Sequence, residues 1–287
     1  MHSVSTVAFL HAHPDDEALF TGGTMAKLSA AGVRVILITA TDGGAGLVAD
    51  AVAATQDVAT LREEELARSC RILGVAQRFS LGYADSGLDG NAESGGRTRF
   101  VDCDISEVSD AVGKILQTVH ADVLVGYDAA GGYGHPDHIQ VHEVVKSVIA
   151  ANEGIVGLAA TLPREPLYRL VAGIRTFRRL VPSLSGLDLQ TWQHAFTARQ
   201  DIAFTVDVRS FWQQKRAALA AHSSQTSGNQ GPRTIDAILK LPRPVFRILM
   251  GTEFYGKVSE DSSTGLPTDT LSGVFELNRP KTKRRRW

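Results

Sequence analysis

The sequence predicts an α/β protein: a Rossmann-like, mostly parallel sheet with helices on both faces, plus a smaller mixed C-terminal lobe. Three observations support this. Short apolar runs alternate with stretches of helical spacing up to about residue 150, the pattern of strand–helix units that build a parallel sheet. Gly32 and Gly74 stand where helical stretches stop. Polar, glycine-rich segments follow apolar runs, and sheets of this kind place ligands outside the carboxyl ends of their strands.

Each element has a local reason. Residues 7–10 are apolar and end at His11-Ala12-His13-Pro14, giving a buried strand that feeds a sharply turning loop. A helix over residues 17–31 follows, with Asp16 and Glu17 supplying negative charge at its start and Ala18, Leu19, Met25 and Leu28 its apolar contacts. Residues 33–39 form a second buried strand. The glycine-rich loop 42–60 is long enough to serve a site, and the helix 61–73 comes after it. A brief strand at 79–81 and a polar stretch at 84–98 precede a helix over 105–119, whose spacing runs through Val108, Val112, Ile115 and Leu116. Residues 123–127 are another buried strand. Beyond about Gly154 the alternation fades into a strand at 202–208, a helix at 211–221 carrying Trp212, Ala217, Ala218 and Leu219 as core contacts, and a polar loop at 223–231. The expected division is a catalytic core over 1–153, a lobe over 154–280 that completes the substrate pocket, and a basic tail over 281–287.

Bulk properties narrow the class. With 43% hydrophobic residues, 21% charged residues and 27 glycines in 287, nothing suggests disorder or a fibre. A net charge of -1 gives no field to attract nucleic acid or an anionic membrane, so neither is an expected partner. Lys281, Lys283, Arg284, Arg285 and Arg286 before Trp287 read as a solvated end. Cys70 and Cys103 are isolated, which suits a reducing compartment, and the cytoplasm is expected. The first six residues lack a charged leader region, and no apolar run approaches the roughly 20 residues of a membrane helix.

Chemistry concentrates in two clusters, His13-Pro14-Asp15-Asp16 and His135-Pro136-Asp137-His138. Each alone reads as well as a structural histidine with a helix-capping aspartate. Together they supply three N and O ligands with an open position, as a catalytic zinc requires, and Fe2+ suits the same donors. His13, Asp16 and His138 are the expected ligands. His142 lies four residues after His138, so spacing alone leaves it as an alternative. Adjacent side chains diverge, so Asp15 can face the attacking water as general base while Asp16 binds metal. Pro136 suits the first helical position, leaving His135 in the loop to stabilise an oxyanion or protonate a departing amine. Asp137 is either a helix-start carboxylate or the orienting partner of His135. Tyr133, within Gly131-Gly132-Tyr133-Gly134, can point its phenol at the oxyanion.

The segments His11-Ala-His-Pro-Asp-Asp-Glu17 and Gly131-Gly-Tyr-Gly-His-Pro-Asp-His138 resemble the two signatures of the PIG-L/LmbE deacetylase family. The resemblance implies zinc at His13, Asp16 and His138, Asp15 as general base, and Tyr133 and His135 acting on the tetrahedral intermediate. Leu61-Arg-Glu, Asp85-Ser-Gly87, Phe100-Val-Asp102, Ala221-His-Ser-Ser-Gln225 and Gly251-Thr-Glu-Phe-Tyr255 are similar to the mycothiol-pathway branch, which deacetylates N-acetylglucosaminyl-inositol. By that likeness the substrate is a small amino-sugar conjugate, and Arg62 and Asp85 hold its hydroxyls. Residues 154–199, including 175–182, match no family pattern. The family also contains amidases of thiol conjugates and deacetylases of antibiotics and other glycosides, so the motifs fix the reaction better than the leaving sugar.

Rival readings come from other classes. Residues 44–49, Gly-Ala-Gly-Leu-Val-Ala, imitate the dinucleotide fingerprint of an oxidoreductase, but residues 50–60 separate them from the next helix, and Gly82-Tyr83 follows the strand where an acidic residue belongs. Gly251-Thr-Glu-Phe-Tyr-Gly-Lys257 imitates a phosphate loop, with Val258 in place of the required Ser or Thr. Two histidines and a carboxylate also suit an Fe(II) oxygenase, and Asp15 favours hydrolysis over it. A non-catalytic sugar-binding relative is disfavoured because every position the hydrolysis needs holds a competent residue.

Overall fold

In a computed structural model that describes residues 5–45, 58–176, 194–225, 234–258 and 269–277, the apolar runs of the first half become the centre of one sheet. The strands are β1 (Thr6–His11), β2 (Arg34–Thr41), β3 (Gln77–Tyr83), β4 (Val123–Tyr127), β5 (Val156–Thr161), β6 (Phe204–Asp207), β7 (Thr252–Lys257) and β8 (Glu276–Leu277). Their order is β3-β2-β1-β4-β5-β7-β6-β8, parallel from β3 to β5 and antiparallel from there to β8. The strand order reverses direction between β1 and β4, which pair with Val7 opposite Val123 and Phe9 opposite Val125. A crevice opens beyond the strand ends at such a switch point, so the loops after β1 and β4 emerge side by side.

The helices are α1 (Asp16–Phe20), α2 (Gly22–Ala30), α3 (Val58–Leu73), α4 (Ile105–Val119), α5 (Pro136–Ala151), α6 (Arg164–Thr176), α7 (Trp212–Ala221), α8 (Thr234–Leu239), α9 (Arg243–Leu249) and α10 (Asp269–Val274). Alternate strand residues serve opposite faces. Val7, Phe9, Val35 and Leu37 pack with Met25 and Leu28 of α2, Leu66 and Leu73 of α3, and Ala218 and Leu219 of α7. Ala8, Leu10, Ile36 and Ile38 pack with Val108, Val112 and Leu116 of α4 and with Val141, Val144 and Val148 of α5. The expected α/β architecture is therefore present, with helices on both faces. Among the described residues no helix is long and apolar enough to cross a membrane.

Several local expectations need correction. The helix expected over 17–31 is two helices broken at Thr21, which has φ -131° and ψ 5°. Four contacts explain the break. Thr21 Oγ1 donates to the Glu17 carbonyl at 3.2 Å and sits 2.8 Å from His11 Nε2, while the N–H groups of Gly23 and Thr24 donate to the Glu253 carboxylate at 2.9 and 2.8 Å. A carboxylate from β7 thus satisfies the free donors at the start of α2, where they carry partial positive charge. Glu253 also pairs with buried Lys215 of α7 and accepts from Tyr255 Oη at 3.3 Å, so no charge is left alone inside.

The region after Gly154 adds its strands to the same sheet. Strand β5 was hidden by Gly157, Ala159 and Ala160, which have little strand preference, although the sheet buries all six of its residues. The phosphate-loop imitation at 251–257 is largely strand β7. Residues 46–49 of the dinucleotide imitation, 226–231 of the polar loop, 177–182 and the 281–287 tail lie outside the described residues.

Candidate metal centre

Strand β1 ends at His11, and the next four residues turn sharply into α1. Strand β4 ends at Tyr127, and Asp128 then organises the second loop. Its Oδ1 accepts from the Gly132 N–H at 2.9 Å, its carbonyl accepts from the Gly131 N–H at 2.9 Å, and its Oδ2 takes the Thr161 hydroxyl. Gly131 has φ 61°, and a Cβ there would lie 2.9 Å from the Ile139 nitrogen. Only glycine lets this turn press against the start of α5, where His138 sits.

The two loops bring together three atoms that could ligate one ion. His13 Nδ1 lies 3.2 Å from Asp16 Oδ2, His138 Nε2 lies 3.3 Å from the same oxygen, and the two ring nitrogens are 3.4 Å apart. A tetrahedral ion with bonds of about 2.0–2.1 Å spaces its ligand atoms by roughly 3.3 Å, so the donor triangle fits one face of such a site. All three residues are buried, at 8%, 4% and 0% exposure, so the carboxylate and imidazoles need a shared cation or proton to stay there. Burial opposes charge on His13, yet Asp137, Asp16 and Asp85 hold its pKa well above the usual value. Broader groupings of His13 with His135 and His138, and of His13 with Asp85, His135 and Asp137, also lie close enough to hold an ion. Asp85 Oδ1 and Asp137 Oδ2 lie by His13 Nε2, the ring nitrogen that the triangle does not use.

A hydrogen bond from that nitrogen fixes the tautomer. His13 Nε2 donates towards Asp137 Oδ2 at 3.2 Å, with Asp85 Oδ1 at 3.4 Å, leaving Nδ1 free to ligate. Asp137 Oδ2 also accepts from the Ser86 N–H at 3.0 Å. Of the two expected readings of Asp137, helix-start carboxylate or partner of His135, its place in the first turn of α5 fits the former, while its carboxylate meets His13 instead of His135. Its only bond to His135 is the backbone N–H given to His135 Nδ1 at 3.2 Å. Removing a carboxylate that orients a ligating histidine typically weakens metal binding about 10–100-fold. Asp137→Ala is expected to lose zinc affinity by that factor in a chelator competition, and unchanged affinity would remove the orienting role.

The remaining candidates surround the triangle. Asp15 has φ 127° and ψ -27°, and its Oδ2 lies 3.7 Å from Arg62 Nη2. Burial and the Asp16 charge push the Asp15 carboxyl up to about 7, against the pull of Arg62, His222 and His13. Arg62 is only 3% exposed and also donates to the Gly43 carbonyl. Asp85 accepts from the Gly87 N–H at 2.9 Å, and although burial opposes its charge, His13 holds its pKa far below the usual range. The Tyr133 ring lies 5.4 Å from the His138 ring and 6.0 Å from that of His135, and burial raises the pKa of its phenol. His135 is lowered to about 4 by burial and by His13 and His138, so its ring is neutral. With Nδ1 accepting from Asp137, Nε2 carries the proton. His142 has its Nδ1 3.0 Å from the Tyr127 carbonyl, and among the described residues it belongs to neither grouping that lies close enough to hold an ion.

Tyr127 was missed by sequence reasoning. Its ring stacks on His138 at 4.0 Å with 4° between planes, and its hydroxyl accepts from the Ala12 N–H at 3.1 Å and lies 3.0 Å from His11 Nδ1. His11 is lowered to about 4 by burial and stays neutral, linking Tyr127 to Thr21. A tyrosine closing an apolar strand is the only local signal for this. Glu17 and His222 were also missed; they pair at 2.7 Å although 205 residues separate them.

Comparison with known proteins fits this geometry. The GlcNAc-PI de-N-acetylase family, PIG-L, matches residues 8–149. A 1D-myo-inositol 2-acetamido-2-deoxy-alpha-D-glucopyranoside deacetylase from Acidothermus cellulolyticus is 34% identical over 94% of this chain and 96% of its own. The enzyme of that name from Mycobacterium leprae is 31% identical over 96% and 97% of the two chains. Among solved structures, N,N'-diacetylchitobiose deacetylase from Pyrococcus horikoshii superposes with a TM-score of 0.54 at 22% identity, covering 88% of this chain and 82% of that one. A 4-carboxy-2-hydroxymuconate hydratase from Pseudomonas putida superposes with a TM-score of 0.57 at 14% identity, covering 91% and 99%. The fold alone therefore does not fix the reaction.

Proposed function

The chain belongs to the GlcNAc-PI de-N-acetylase family, and from that premise we propose that it is a zinc-dependent deacetylase. It removes acetate from an N-acetylglucosaminyl-inositol-like conjugate and leaves a free amine. The observation that carries this reading is the triangle of His13, Asp16 and His138 with Asp15 beside it. Those three residues would hold the cation, which when bound would polarise the acetamide carbonyl and favour deprotonation of water.

The chain's own groups supply the other steps. Asp15 receives the proton of the attacking water, because its carboxylate is next in sequence to Asp16 and belongs to no corner of the triangle. The neutral Tyr133 phenol and the Nε2–H of neutral His135 donate hydrogen bonds to the developing oxyanion. Of the two roles open to His135, its tautomer supports this one, and the proton held by Asp15 passes to the departing amine as the C–N bond breaks. Arg62 stands against Asp15 and Asp85 against His13, so both serve charges of the site itself before any sugar hydroxyl.

The direct test measures free amine released from N-acetylglucosaminyl-inositol, from N-acetylglucosamine and from a thiol-conjugated amide, each with zinc and with iron. The expected result is the highest kcat/KM on the inositol conjugate with zinc. Preference for the thiol conjugate would move the chain to the amidase branch, and no release from any amide would end the hydrolytic reading.

A further inference from the structure

Asp15 is one of three non-glycine residues with positive φ among those described, the others being His120 and Phe196. A φ of 127° is a conformation that an aspartate keeps only where its surroundings over-determine it. The Asp15 N–H donates to Glu17 Oε2 at 2.9 Å. Glu17 is fully buried, and its Oε1 accepts from Ser69 Oγ of α3 at 2.5 Å and from His222 Nε2 at 2.7 Å. His222, also fully buried, follows the end of α7. The next two residues are fastened to α3 as well: Glu65 accepts from Ser223 Oγ at 2.7 Å, from the Ser224 N–H at 2.8 Å and from Ser224 Oγ at 2.7 Å. Two elements far from the metal triangle in sequence thus converge behind Asp15.

We infer that Glu17 and His222 are positioning residues for Asp15, holding its backbone in the strained conformation that aims its carboxylate. This rests on the hydrolytic reading above. Neither side chain is directed at the triangle, and the mechanism gives neither a proton to carry. Their geometric hold passes through one backbone N–H, beside the electrostatic pull of His222 on the Asp15 carboxyl. Without that acceptor Asp15 relaxes to an ordinary φ and its carboxylate swings away, while Asp16 keeps its own hold through the His13 N–H at 3.0 Å.

The test compares zinc-loaded Glu17→Ala, His222→Gln and the milder Ser69→Ala with the parent, reading kcat, KM, bound zinc and thermal unfolding. Each substitution is then repeated in an Asp15→Ala background with long-incubation amine release. A displacement of about 1 Å costs up to roughly 100-fold, so Glu17→Ala and His222→Gln are expected to lose about 10–100-fold in kcat at unchanged KM and zinc content. In the Asp15→Ala background they are expected to cost nothing further, since the group they aim is gone. A merely structural role would lower the rate equally in both backgrounds, and that result overturns the inference. Turnover within twofold of the parent in folded, zinc-loaded variants overturns it too. Should Glu17→Ala fail to fold, His222→Gln and Ser69→Ala carry the same comparison. If Asp15→Ala itself keeps its rate, the base assignment falls and this inference with it, while the hydrolytic reading stands; if only Asp15→Ala loses rate, the inference falls alone.

Discussion

Asp15→Ala is expected to keep one equivalent of zinc and lose about 10²–10⁴-fold in turnover, the usual contribution of a positioned general base. The two halves of that result come from different atoms. Zinc retention follows because the proposed ligand triangle is Asp16 Oδ2, His13 Nδ1 and His138 Nε2, and no corner of it belongs to Asp15. Rate loss follows because Asp15 stands beside the triangle without occupying a corner of it, whereas Asp85 Oδ1 and Asp137 Oδ2 both lie against His13 Nε2. Metal analysis of the purified variant alongside amine release separates the two. A near-normal rate with zinc bound would show that the base lies elsewhere.

His138→Ala is expected to lose the cation and, with it, activity down to background. Removing one of three donors leaves a histidine and a carboxylate, too few for a tight tetrahedral site. The loss is also visible without substrate. A cation that binds only the folded chain stabilises it by about 2.7 kcal/mol at 100 times its Kd, so added zinc should raise the Tm of the parent and leave His138→Ala unmoved. His142→Ala is the matched control, since His142 is in neither described grouping that could hold an ion, and it should keep the zinc-induced shift. Equal zinc affinity in His138→Ala would exclude the triangle as the site.

Much of the fold was legible because its signals are local. The helix at 105–119 and the strand at 123–127 match their expected bounds, since period and flanking residues mark them within a single stretch of chain. The break at Thr21 was not legible, because its cause is the Glu253 carboxylate delivered from β7, 230 residues from Gly23. Strand β5 escaped for the opposite reason: burial between β4 and β7 makes a strand of residues that have little preference for one.

The site divides along the same line. The amino-acid sequence by itself determined which chemical groups exist, two His/Asp clusters each following a strand, and hence that a cation and a base were to be sought there. Only the tertiary structure decided which atom meets which: Asp137 on His13 rather than His135, Arg62 against Asp15, and Glu17 with His222 behind Asp15. Periodicity and capping are properties of neighbouring residues, whereas these pairings depend on β1 lying beside β4 and on α7 packing against α3, and no local pattern encodes that arrangement.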